Sequence, residues 1–172
     1  TSAHSENADP PLRRVCFLHF ILRSSLSKSG CCIFRFWIFV LSKDFKSVRS
    51  IELGPLPVEA INRTIETQLQ PGSVIFSRAA QIHAAKRHPN DYERCKPFVG
   101  AVIGNPLYVG DDFKNGGKIE LVARISALGQ SLLVAVNLER DLRDCYHICS
   151  VYPVTEQKIQ ARREKGYLFV LK

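Results

Sequence analysis

The sequence predicts an α+β domain over residues 51–172, behind a separate segment, residues 1–50. Helical signals gather between Pro57 and Val102, and strand-like runs separated by turn residues fill the chain from Leu107 to Leu171. Helices followed by an antiparallel meander make the α+β pattern. Gly54, Pro55 and Pro57 punctuate the chain between Ile51 and Pro57 and set the boundary.

In residues 1–50, Thr1–Pro11 is polar and reads as disordered. The apolar runs Val15–Leu22 and Cys31–Leu41 fall short of the ~18–20 residues that a membrane-spanning helix needs; they read as a cryptic membrane-surface segment, a core strand pair, or residues not naturally translated with the domain, and no membrane partner is assigned to the domain. A chain that starts at Thr1 and has no Met reads as a fragment, a processed product or an imperfect gene model.

The first helix opens at Pro57-Val58-Glu59, with Pro early and Glu in the first turn. Val58, Ile61, Ile65 and Leu69 form its apolar stripe, and Gln70-Pro71-Gly72 ends it. Ser73–Phe76 is a short apolar run with strand character. Ser77 suits an N-cap for an alanine-rich helix over Arg78–Arg87, and His88-Pro89 closes it. Asp91–Val102 reads as one more helix. Leu107–Val109 is a short strand, followed by a turn at Gly110–Asp112. Lys118–Ile125 alternates, with Ile119, Leu121, Ala123 and Ile125 on one face, and Ser131–Leu138 is apolar enough for a central strand. Strict alternation in Cys145–Val154 puts His147, Cys149 and Val151 opposite Tyr146, Ile148, Ser150 and Tyr152. Gln157–Arg163 is a polar connection, and Tyr167–Leu171 is a last strand.

The 172 residues include 24 Lys or Arg and 16 Asp or Glu, a net charge of +8 that favours an anionic partner. Residues 1–50 hold 8 basic and 3 acidic side chains, so most of the excess lies outside the domain. Cys145, His147 and Cys149 share a face in an extended strand, which is one half of a zinc site. The complementary ligand pair is missing, and the thiols read as buried groups of a reduced, cytoplasmic protein. Internal repeats, a phosphate-binding glycine loop and a Gly-x-Ser-x-Gly elbow are absent from the sequence, which disfavours nucleotide-binding and acyl-transfer chemistry.

One constellation carries chemistry. Helical spacing places His83, Lys86 and Arg87 together, with His88 at the helix end. Imidazole moves protons near neutral pH, and Lys and Arg neutralise phosphate. That set suits metal-free phosphodiester cleavage; the bland alternative is a solvated basic helix face. A second cluster joins Ser150 and Tyr152 to Lys158, Arg162, Arg163 and Lys165 in the following polar turn, groups that grip phosphate oxygens.

His83-x-x-Lys86-Arg87-His88-Pro89, Gly104-Asn105-Pro106 and Tyr146-x-Ile148-x-Ser150-x-Tyr152-Pro153 followed by Arg162-Arg163 resemble the phage-associated nucleases of the barnase–EndoU–colicin–RelE-like superfamily. The resemblance covers roughly residues 58–172. It implies N-terminal helices packed on a four-stranded antiparallel sheet, and metal-independent RNA cleavage without a cofactor. It implies His83 as the helix histidine, with Lys86, Arg87 and His88 beside it, and Ser150 as the late-strand hydroxyl residue. On this nuclease reading His83, Arg87, His88 and Ser150 are catalytic, and Lys86, Lys118, Tyr152, Arg162 and Arg163 bind substrate. The implied partners are RNA, tRNA included, a fused phage head-morphogenesis protein and an immunity protein. The runner-up is a non-catalytic nucleic-acid-binding or packaging-associated module of a phage structural protein.

Overall fold

The computed structural model describes residues 47–111 and 116–172. The expectations for Thr1–Pro11, for the two apolar runs and for Asp112 lie outside the described residues. Seven strands form one mixed sheet: β1 (Ile51–Pro55), β2 (Ser73–Phe76), β3 (Tyr108–Asp111), β4 (Lys118–Ile125), β5 (Gln130–Asn137), β6 (Tyr146–Val154) and β7 (Phe169–Val170). Their order across the sheet is β1-β2-β6-β5-β4-β3-β7. Neighbours are antiparallel except β2 and β6, which run parallel.

This overturns the four-stranded antiparallel sheet that the resemblance implies. Two strands extend the sheet beyond β6, and β7 extends it beyond β3. The sequence hid β1 because Gly54 and Pro55 read as loop residues. They sit at the irregular end of an edge strand, where the missing Pro N–H breaks no central ladder.

The helices are α1 (Val58–Ile65), α2 (Arg78–Arg87), α3 (Tyr92–Cys95), α4 (Val99–Gly104) and α5 (Glu156–Glu164). The first four pack on one face of the sheet. Ile61, Val99, Val102 and Ile103 are buried there against Ile119, Leu121, Leu132, Val134, Tyr146 and Ile148. Each such aliphatic side chain contributes ~1.5–3 kcal/mol of burial. The fifth helix covers part of the other face, where Ile159 meets Val122, Leu133, Ala135 and Val154. It occupies the stretch expected to be a polar connection. Thr155 caps it by accepting a hydrogen bond from the Lys158 N–H at 3.4 Å, and Ile159 alone supplies its buried anchor.

Three further expectations are corrected. The first helix stops at Ile65 rather than near Gln70. The Asn62 side chain accepts from the Leu69 N–H at 2.8 Å and donates to the Leu69 carbonyl at 2.9 Å, folding the chain back early. Pro97 splits the expected Asp91–Val102 helix into α3, a 3-10 turn and α4. Alternation in β6 fails at a bulge: Ala135 pairs Ser150, whereas Val136 pairs Ile148, so Cys149 is an extra residue. Tyr146, Ile148 and Val151 therefore face the main core, and Tyr152 and Val154 face the layer of α5.

The placement of α2 rests on a buried carboxamide. Gln81 is fully buried. Its Nε2 donates to the carbonyls of Arg49 at 2.7 Å and Phe76 at 2.9 Å, and its Oε1 accepts from the Tyr92 hydroxyl at 3.2 Å. Burial, helped by the Glu93 charge, pushes the Tyr92 hydroxyl up to about 12, so it remains a donor at neutral pH. Gln81→Leu keeps the volume but strands two carbonyls and a hydroxyl. It should lower unfolding stability by about 2–3 kcal/mol, read as a lower urea midpoint at constant slope. An unchanged midpoint would show that the network is ornamental.

Candidate functional site

The second helix begins at Ser77, whose hydroxyl accepts from the Ala80 N–H at 3.2 Å. It lacks an apolar stripe; only Gln81 and Ala84 are buried. Two i,i+4 pairs, His83 with Arg87 and Ala84 with His88, therefore share the side that meets β6. Between α2 and β6 lies a cleft of about 260 Å³ lined by His83, Ala84, Arg87, His88, Ser150, Val151 and Tyr152. Its floor is the part of β6 past His147. Among the described residues β2 pairs β6 only at Tyr146 and His147, and no other strand pairs that outer edge.

His88 is fixed from both sides. Its N–H donates to the Ala84 carbonyl at 2.9 Å, and its carbonyl accepts from the N–H groups of Asp91 at 3.1 Å and Tyr92 at 2.9 Å. Its ring stacks on Tyr152, with centroids 5.5 Å apart and planes at 26°. His83 and Arg87 are exposed at the cleft rim.

The structure thus brings together His83, Arg87, His88, Ser150 and Tyr152, from segments more than sixty residues apart. It does not place the remaining expected residues there. Lys86 is exposed and does not line the cleft, because two residues from Ala84 is more than half a turn away. Arg162 pairs with the buried carboxylate of Glu120. The Arg163 guanidinium lies 5.4 Å from the Tyr108 ring centroid and donates to the Gln160 side chain at 3.4 Å. Both arginines hold α5 to the sheet. Lys118 stands on the same sheet face as Ser150 but two strands away, beside Asn137.

Sequence reasoning missed Asp141. Its carboxylate accepts from the N–H groups of Arg143 at 2.9 Å and Cys145 at 3.0 Å, and its Oδ2 lies 3.0 Å from Nε2 of His147. The hydrogen bond from Cys145, then that from His147, hold its carboxyl down at about 2. An Asp two residues before a turn N–H is the sequence signal that marks such a turn.

Two of the cysteines, Cys95 and Cys149, are held as thiols. Burial pushes Cys95 and Cys149 up, opposed at Cys149 by the Lys118 charge and a hydrogen bond from Asn137. Among the described residues no group of three or more His, Cys, Asp and Glu side chains is arranged to hold a metal ion. No helix among them is long and apolar enough to cross a membrane. Comparison with family models, curated proteins and solved structures found no match.

Two outcomes follow from these ion pairs. Arg162→Met leaves Glu120 buried without its guanidinium, and should destabilise the fold by about 2–4 kcal/mol in urea denaturation; a neutral effect would show that Glu120 does not depend on Arg162. Asp141, lowered from 3.8 to about 2, adds stability that is complete above its unfolded value and disappears as pH falls from 3.8 to about 2. Asp141→Asn should flatten the dependence of melting temperature on pH in that window. Parallel wild-type and variant curves would exclude Asp141 as a source of acid lability.

Proposed function

We propose that the cleft between α2 and β6 cleaves RNA phosphodiester bonds by metal-independent general acid/base catalysis. The convergence of two imidazoles, a guanidinium and two hydroxyl side chains on one small cleft supports this reading. A proton carrier must lie within reach of the 2′-OH, a second near the leaving 5′-oxygen, and a cation at the phosphate between them. His83, exposed and unstacked at the rim, is the first choice for proton transfer. Arg87 pairs with the non-bridging oxygens, to which the Ser150 hydroxyl donates a hydrogen bond. His88 is the second proton carrier, held in place by Tyr152. The 2′-oxygen bonds to phosphorus as the P–O5′ bond breaks. One imidazole takes the 2′-proton and the other protonates the leaving oxygen, giving a 2′,3′-cyclic phosphate and a 5′-hydroxyl.

The His88–Tyr152 stack also favours the runner-up, a non-catalytic nucleic-acid-binding module. A stacked ring pair is a platform that bases join without bond breaking. One experiment separates the two. Purified protein is incubated with total RNA in EDTA, beside His83→Ala. The nuclease reading expects cleavage, reduced by about 10²–10⁴-fold in the variant with its circular dichroism unchanged. Equal activity in both, or activity that requires a divalent ion, would remove His83 or the metal-free mechanism. Salt-sensitive RNA binding with no product would favour the binding module.

A further inference from the structure

The face of the sheet that carries Ser150 and Tyr152 holds a second polar group outside the cleft. Lys118 in β4 pairs across to Asn137 in β5, and Asn137 pairs across to His147 in β6. Their chain neighbours Ile119, Val136, Tyr146 and Ile148 are buried in the main core. Strand alternation therefore brings Lys118, Asn137 and His147 out on the opposite face. The fifth helix buries that face around Val122, Leu133, Ala135 and Val154, and all three row residues stay partly exposed.

The row has a built chemistry. Lys118 has no carboxylate partner among the described residues. His147 is oriented from behind: the carboxylate of Asp141 takes Nε2 at 3.0 Å, and that oxygen accepts only from an N–H. When the ring is neutral, that bond puts the proton on Nε2 and leaves Nδ1 an acceptor. An acceptor nitrogen in one row with a carboxamide and, two strands across, an ammonium matches a ribonucleotide: the ammonium takes a phosphate, and the nitrogen takes the proton of a ribose 2′-OH. Strand geometry separates His147 from Ser150 by roughly 10 Å, the reach of one or two nucleotides.

We propose that Lys118, Asn137 and His147, with Asp141 behind, form a second subsite that holds the phosphate and ribose of a nucleotide flanking the one in the cleft. It rests on the reading that the cleft takes RNA. It makes the substrate a single strand several nucleotides long, laid along β6, and gives it a preference for ribose over deoxyribose away from the reacting bond.

The test is fluorescence anisotropy on the full chain carrying His83→Ala, which suppresses turnover. The probes are oligouridylates of two and six nucleotides and a six-nucleotide oligodeoxyuridylate. The six-nucleotide RNA should bind more tightly than the two-nucleotide one. Adding Lys118→Ala should shrink that ratio roughly three- to tenfold and make the salt dependence shallower by about one. Adding His147→Phe should instead remove the preference for RNA over DNA. A length ratio untouched by Lys118→Ala, or a ribose preference that survives His147→Phe, overturns the subsite while leaving the cleft reading standing. Failure of every oligonucleotide to bind overturns both.

Discussion

β6 carries one residue more than β5 can pair, and this bulge decides what the sheet presents. Side chains in a strand alternate strictly, so one inserted residue exchanges the faces of everything beyond it. Before Cys149, Tyr146 and Ile148 point into the main core; after it, Val151 does. Without the insertion, Ser150 and Tyr152 would share the face of Ile148 and lie under the helices. With it, they join His147, Asn137 and Lys118 on the half-open face. The cleft's two hydroxyl side chains, and the face they share with the polar row, depend on that single extra residue.

The other wall of the cleft depends on where α2 is held. A helix without an apolar stripe gains little from burial, so its position is set by specific bonds. Gln81 provides them, tying the helix start to the carbonyls of Arg49 and Phe76 and to the Tyr92 hydroxyl. The shortness of β2 provides the space. It pairs β6 at only two residues and then turns into α2, which runs beside the outer edge of β6 instead of continuing the ladder. Helix and strand do not close completely, and the cleft is what remains between them.

The basic residues divide between structure and surface. Arg162 and Arg163 answer Glu120 and Tyr108, and Arg124 pairs with Glu156 at 2.9 Å, which also accepts from the Ser131 hydroxyl. These contacts dock α5 on a sheet face that offers it few apolar partners. Arg162 and Arg163, counted in the sequence as phosphate ligands, are thus engaged by the fold itself. Arg87 and Lys118 are left facing the two polar regions.

Much of the local structure was legible in the sequence. Ser77, the alanines and His88-Pro89 bounded α2 because cap and proline effects act within a few residues. The alternating apolar residues of Lys118–Ile125 and the continuous run in Ser131–Leu138 marked β4 and β5. The group His83, Arg87, His88, Ser150 and Tyr152 was also legible as residue types, though not as a constellation. Lys86 was misplaced because i+3 neighbours share a face only loosely, and the orientation of a helix without an apolar stripe is settled by its partner. Three things belonged to the tertiary structure alone: the parallel pairing of β2 with β6, the bulge at Cys149, and the capture of Arg162 by Glu120. Each is set by contacts between segments far apart in the chain, whose energies leave no period or spacing in the sequence.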